Sequence, residues 1–138
     1  MKTQTGRFPV LTSAVLLLAV AGCTKPETAK PAADLNPAGK YTLASVDGKP
    51  VPCALNHEGH SFMVKSGSMD LGADHHGVSR VVFSVEGHPD ATRDVNASYT
   101  QAGNQLTLQW EGAGVTFGSV EPGTFTMTNE GMVFVYRK

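Results

Sequence analysis

Gln105-Leu106-Thr107-Leu108-Gln109-Trp110-Glu111 decides the fold. Leu106, Leu108 and Trp110 alternate with Thr107 and Gln109. That period of two belongs to a strand with one face in a core and the other in water. The same pattern spreads in both directions. Upstream, Arg93 to Thr100 places Val95, Ala97 and Tyr99 on one face, and Ala102-Gly103-Asn104 turns the chain between the two runs. Downstream, Gly112 and Gly114 permit a tight turn or bulge. Val115, Phe117 and Val120 mark the next strand, and Glu121-Pro122-Gly123 ends it. Phe125 and Met127 alternate with Thr124, Thr126 and Thr128. After Asn129-Glu130-Gly131, Met132 to Arg137 sets Phe134 and Tyr136 against Val133 and Val135.

The earlier part of the domain reads the same way. Tyr41 to Val46 is a strand and Asp47-Gly48 a tight turn. Pro50 and Pro52 keep the segment around Val51 irregular or at an edge. His60 to Lys65 is a strand, Ser66-Gly67 a turn, and Ser68 to Leu71 a further short strand. Gly72 to Gly77 is a polar loop. Val78 to Glu86 is a longer strand with Val81, Phe83 and Val85 on one face, closed by Gly87-His88-Pro89-Asp90. No stretch carries helical periodicity. The expectation is an all-β, antiparallel up-and-down meander of about eight to ten strands. An open meander of that length exposes its edges, so it is expected to close into a small barrel, with a flattened sandwich second.

Residues 39–138 form the folded domain, large enough for one core. The chain ahead of it is of another kind. Lys2 and Arg7 precede Val10 to Ala21, an apolar run interrupted only by Thr12 and Ser13. A bilayer span needs about 20 residues, so this run suits a signal peptide better than a membrane helix. Val20-Ala21-Gly22-Cys23 resembles the bacterial lipobox position by position. The resemblance implies cleavage after residue 22 and lipidation of Cys23 by diacylglycerol and an N-acyl chain such as palmitate. Multiple acyl chains anchor a protein stably where one does not. Thr24 in place of Asp after that cysteine implies, for a Gram-negative host, the periplasmic face of the outer membrane. Residues 23–38, with Pro26, Pro31 and Pro37, read as lipid anchor and semi-extended tether, with docking of Leu35 on the domain as the alternative.

Charge and cysteine content narrow the function. The whole chain is formally −1, and loss of Lys2 and Arg7 leaves 9 basic against 12 acidic residues. There is no basic patch, so a nucleic-acid partner is not expected. Once Cys23 is lipidated, Cys53 has no intramolecular partner; it is buried, bound to something, or free to join another chain.

Four segments carry a family resemblance: Tyr41 to Pro52 (YTLASVDGKPVP), Ser66 to Leu71 (SGSMDL), Ser98 to Leu108 with its Gly103-Asn104 turn, and the terminal Gly131 to Lys138 (GMVFVYRK). Together they are similar to the lipocalin-like small β-barrel domains of bacterial exported lipoproteins. The resemblance implies the fold and brings no catalytic residue with it.

Three kinds of site are weighed. All five histidines lie between residues 57 and 88, and Cys53-x3-His57-x2-His60 has plausible ligand spacing. His57, His60, His75 and His76, gathered by loops at one barrel rim near Glu58, Asp70 and Asp74, suit zinc or copper; solvated loop histidines are the simpler reading. A hydrolase is not expected, since Gly-x-Ser-x-Gly and its strand-turn-helix are both missing from the sequence, so the chain reads as non-enzymatic. A cavity lined by Trp110, Phe83, Phe117, Phe125, Phe134, Tyr41 and Tyr99 would hold a small apolar ligand; a solid core is the alternative. The expectation is a cell-envelope lipoprotein with a binding role. It would take a small ligand or an envelope protein, or serve as an inhibitor or interaction module for an envelope-active enzyme. The membrane is a partner through Cys23.

Overall fold

The computed structural model describes residues 35–138. The expected signal peptide, the lipidated Cys23 and most of the tether lie outside the described residues. The domain is all β. In chain order its strands are β1 (Gly39–Val46), β2 (Lys49–Pro50), β3 (Cys53–His57), β4 (His60–Leu71), β5 (His76–Val85), β6 (Ala91–Ala102), β7 (Gln105–Trp110), β8 (Gly114–Glu121), β9 (Thr124–Asn129) and β10 (Met132–Arg137). Every pairing is antiparallel. From β4 to β10 each strand pairs with the next, and β1 bridges β10 and β4 to close an eight-stranded barrel. Strands β2 and β3 are the two extras, one on β1 and one on β4.

The strands form where the sequence alternates. Leu106, Leu108 and Trp110 of β7 are buried, as are Ala97 and Tyr99 of β6, Phe125 and Met127 of β9, and Phe134 and Tyr136 of β10. On the outer face, opposite charges meet across strands. Arg80 of β5 faces Asp94 of β6 with paired bonds of 2.8 and 2.7 Å, and Lys40 of β1 faces Asp70 of β4 at 3.5 Å. Such exposed pairs fix register more than they add stability.

Ser66-Gly67 is not the turn that the sequence suggests. Residues 60–71 are one continuous strand, and its register on β5 shifts between Val64 and Ser66. At that bulge the strand changes partners. Its first half pairs with β3 and its last four residues, Ser68 to Leu71, pair with β1. Gly67 makes the change possible: a Cβ there would lie 2.9 Å from Leu43 Cδ2 and 3.0 Å from Leu43 Cβ. A glycine within a strand can mark a close approach as well as a turn.

The phase of β8 also differs from expectation. Thr116, Gly118 and Val120 point inward, whereas Val115 and Phe117 point out, Phe117 at 67% exposure. Phe117 is therefore not part of the interior. Two inward contacts set this phase. Thr116 Oγ1 accepts a 2.9 Å bond from Trp110 Nε1. At Gly118 the Phe125 ring occupies the space a side chain would take, 2.7 Å from where a Cβ would sit.

The two ends of the barrel are filled differently. At the end where β1 begins, Tyr41, Met69, Leu71, Leu106, Leu108, Val120 and Phe125 are almost wholly enclosed. Phe125 packs against Tyr41 and Tyr136 with ring centroids 6.0 and 5.8 Å apart. The last residues of the expected tether finish this plug. Leu35 packs on the core, and its carbonyl accepts a 2.6 Å bond from Gln101 Nε2; the Pro37 carbonyl accepts a 2.7 Å bond from the Tyr41 hydroxyl. Residues 35–38 are thus a docked strap, the alternative reading for Leu35, and the residues before them lie outside the described residues.

Candidate functional site: a cavity in the open end

The opposite end of the barrel encloses a cavity of about 390 Å³. That lies in the range of roughly 300–1,000 Å³ usual for small-molecule sites. Its walls are apolar. Val64 comes from β4, Val81 and Phe83 from β5, Val95 from β6, Trp110 from β7, Met127 from β9 and Phe134 from β10. These are inward positions of the alternating pattern, and their side chains line the wall and leave the centre open. β5 and β6 contribute Val81 and Val95 here, whereas the plugged end has the rings of Tyr41 and Phe125. Phe62 and Phe83 meet edge to face at 6.5 Å along one wall.

Polar groups sit at the two extremes of the cavity. At the floor are Ser79 of β5 and Tyr136 of β10, 7% and 0% exposed. The Tyr136 hydroxyl forms no hydrogen bond with any described residue. Burial pushes its phenol up to about 12, and the Ser79 hydroxyl, close by but outside hydrogen-bonding geometry, pulls the other way. A buried hydroxyl without a partner costs about 1–3 kcal/mol, so such a group is a feature to explain.

At the mouth are His57, His60, Arg93, Asn129 and Glu130. His57 and His60 face each other across the β3–β4 hairpin, and Glu58-Gly59 makes its two-residue turn with φ of 51° and 81°. Both central residues in the left-handed region is the geometry that matches strand twist. The β9–β10 hairpin repeats it at Glu130-Gly131, with φ of 50° and 78°. These two turns meet over the opening, where His57 Nε2 lies 3.5 Å from Glu130 Oε2. Arg93 is the cross-strand partner of Val81, so it occupies an inward position of β6 at the rim.

The fold separates the four histidines expected at one rim. His57 and His60 are at the mouth. His75 and His76 lie at the other end of β4, beyond Leu71, a strand length on the order of 35 Å away. There His75 stacks on Tyr99 at 5.2 Å, and its carbonyl accepts a 2.8 Å bond from the Tyr99 amide. The Tyr99 hydroxyl donates to the Gly72 carbonyl at 2.6 Å, so these contacts pin the Gly72–His75 turn onto β6. Antiparallel strands return each hairpin to alternate ends, which places loops 57–60 and 72–77 apart. No group of three or more His, Cys, Asp or Glu side chains among the described residues is placed to hold a metal ion. Cys53 is buried on β3, opposite Val64.

A second pocket, of about 540 Å³, lies on the outer face of β5, β6 and β7, around His76, Asn96 and Glu111. Asn96 and Glu111 bond each other there at 3.1 Å. It lies on the solvent side of the sheet and lacks the apolar walls of the barrel cavity, which is therefore the better candidate.

Ser79, Tyr136 and Arg93 were not singled out as functional by the sequence reading, yet a signal for two of them was present. Ser79 shares a face with Val81 and Phe83, and Arg93 shares one with Val95 and Ala97. A polar residue on an otherwise apolar strand face is the mark of a floor or a rim. Comparison with known proteins gives no match: no protein-family model, curated protein or solved structure resembles the chain closely enough to be named.

Proposed function

We propose that the protein binds a small, mainly apolar molecule in the open half of its barrel. The observation that carries this reading is the unequal filling of the interior. One half is packed with aromatic and aliphatic side chains, and the other keeps about 390 Å³ within apolar walls. An apolar hollow that serves only the fold sacrifices stability, since each lost contact weakens the core. Filling it with ligand restores those contacts and stabilises the folded state by mass action.

The proposal extends to the setting. The Val20 to Cys23 lipobox supports a lipid-anchored protein of the cell envelope, with Cys23 as its attachment point and, in a Gram-negative host, the outer membrane as its location. The role we propose there is binding, in a cavity with apolar walls and its charged groups at the mouth.

Trp110 is the single tryptophan and lines the cavity, so it reports on occupancy directly. Titration with N-phenyl-1-naphthylamine, a neutral apolar fluorophore, is expected to quench Trp110 saturably with one site per chain. A linear, unsaturable signal would remove the proposal. Mass spectrometry of the mature N-terminal peptide tests the setting separately: a Cys23 carrying diacylglycerol and an N-acyl chain is expected, and an unmodified cysteine refutes the anchor.

A further inference from the structure

We infer that the ligand enters this cavity with an uncharged oxygen leading, and that this oxygen docks on the Ser79 hydroxyl with Tyr136 behind it. The inference rests on the cavity reading above and names the ligand class: an apolar body ending in a ketone, aldehyde, ester or alcohol.

The argument starts from what the floor lacks. Tyr136 is fully enclosed, and its hydroxyl has no partner among the described residues. Ser79 beside it keeps 7% exposure, so an incoming molecule meets Ser79 first. Solvent in the free cavity can bond the Ser79 hydroxyl, and a ligand that displaces it without replacing the bond loses affinity. A purely apolar ligand therefore fits the walls and fails at the floor.

The charge of the leading group follows from where the charged side chains stand. Arg93, Glu130, His57 and His60 line the cavity only at the mouth, on strand ends and hairpin turns. The floor has two neutral hydroxyls, and the phenol stays protonated because burial raises its pKa to about 12. A carboxylate pushed to the floor would leave water with no cation to meet it, an unfavourable exchange. A neutral oxygen gives up little and accepts from Ser79, and the neutral Tyr136 phenol behind it adds no charge to the floor. A ligand that also carries an acid has its place for it at the other end, beside Arg93.

The test displaces N-phenyl-1-naphthylamine from the purified protein with three straight-chain molecules of matched length: 2-nonanone, 1-nonene and nonanoate. The ketone is expected to bind about tenfold more tightly than the alkene, the worth of one buried hydrogen bond. Ser79→Ala is expected to abolish that preference, the ketone binding more weakly and the alkene no more weakly than to the native protein, and an unchanged circular-dichroism spectrum and denaturation transition show that the variant is folded. Tyr136→Phe is expected to reduce the preference less than Ser79→Ala does. Equal binding of ketone and alkene by the native protein overturns the inference, as does a preference that survives Ser79→Ala. Nonanoate binding that exceeds the ketone and depends on Ser79 overturns it too, by placing a charge at the floor. If the fluorophore itself fails to bind, the cavity reading fails instead.

Discussion

The two halves of this barrel use the same strands and the same alternation, yet one is solid and the other hollow. The difference lies in side-chain size at a few inward positions. In the plugged half Tyr41, Phe125 and Tyr136 bring three rings to the axis, with centroids 5.8 to 6.0 Å apart. In the open half β5 and β6 offer Val81 and Val95, and the larger groups Trp110, Phe83 and Phe134 stay on the walls. Strand geometry fixes where a side chain points, and side-chain volume decides whether the centre is filled. The packed core and the candidate site thereby fall at opposite ends of one sheet.

That division can be broken most severely at the plug. Phe125→Ala removes a fully enclosed ring between two others and is expected to cost about 3–5 kcal/mol by chemical denaturation. Phe134→Ala, from a wall that already faces a hollow, is expected to cost no more than about half as much. Equal losses would mean that the open half is packed as tightly as the plug.

The next test is alkaline. Tyr136 is held near 12 when folded, against about 10 for an ordinary tyrosine. Its folded state thus prefers the proton more than its unfolded state does. The contribution is complete below pH 10 and is lost as pH rises from about 10 to about 12, a fall of about 2–3 kcal/mol. Tyr136→Phe is expected to flatten that limb of the stability profile. A profile identical to the native one would show that Tyr136 does not mark the boundary between plug and cavity.

Smaller effects sharpen the contrast through overpacking. Gly118→Ala places a Cβ against the Phe125 ring and the Thr126 carbonyl, at 2.7 and 2.8 Å, and is expected to cost about 1–3 kcal/mol. Val81→Phe adds far more volume on the hollow side. It is expected to change stability by less than about 1 kcal/mol, while fluorophore binding is lost. A denaturation midpoint and a Trp110 titration on each variant are sufficient. Should Val81→Phe destabilise as much as Gly118→Ala, the cavity cannot accept added atoms and the proposed site is wrong.

The fold was largely legible because most strands alternate without ambiguity. Leu106, Leu108 and Trp110 could face only one way together, and the turns between strands carry Gly with Asp, Asn or Glu. The misreadings come from residues whose meaning depends on a distant strand. Gly67 looks like a turn until Leu43 of β1 is found beside it. Phe117 looks internal until Gly118 is seen to make room for Phe125, seven residues further on. Hydrophobicity placed Phe117, but shape placed Gly118, and shape prevailed. The histidines clustered in sequence and parted in space, because a hairpin sends neighbouring loops to opposite ends. The cavity was legible only as one of two alternatives. A list of inward residues does not show whether they meet at the axis.

The docked strap has a consequence for how the molecule stands. Leu35 and Pro37 are held at the plugged end, by Gln101 and Tyr41, so the chain enters the barrel through its closed base. The strap and the mouth therefore lie at opposite poles of the barrel, with residues 35–38 on the closed base and His57, Arg93 and Glu130 around the open rim. Anything that reaches the cavity arrives at the face of the barrel farthest from residue 35, so the point where the chain enters and the point where a ligand would enter cannot obstruct each other.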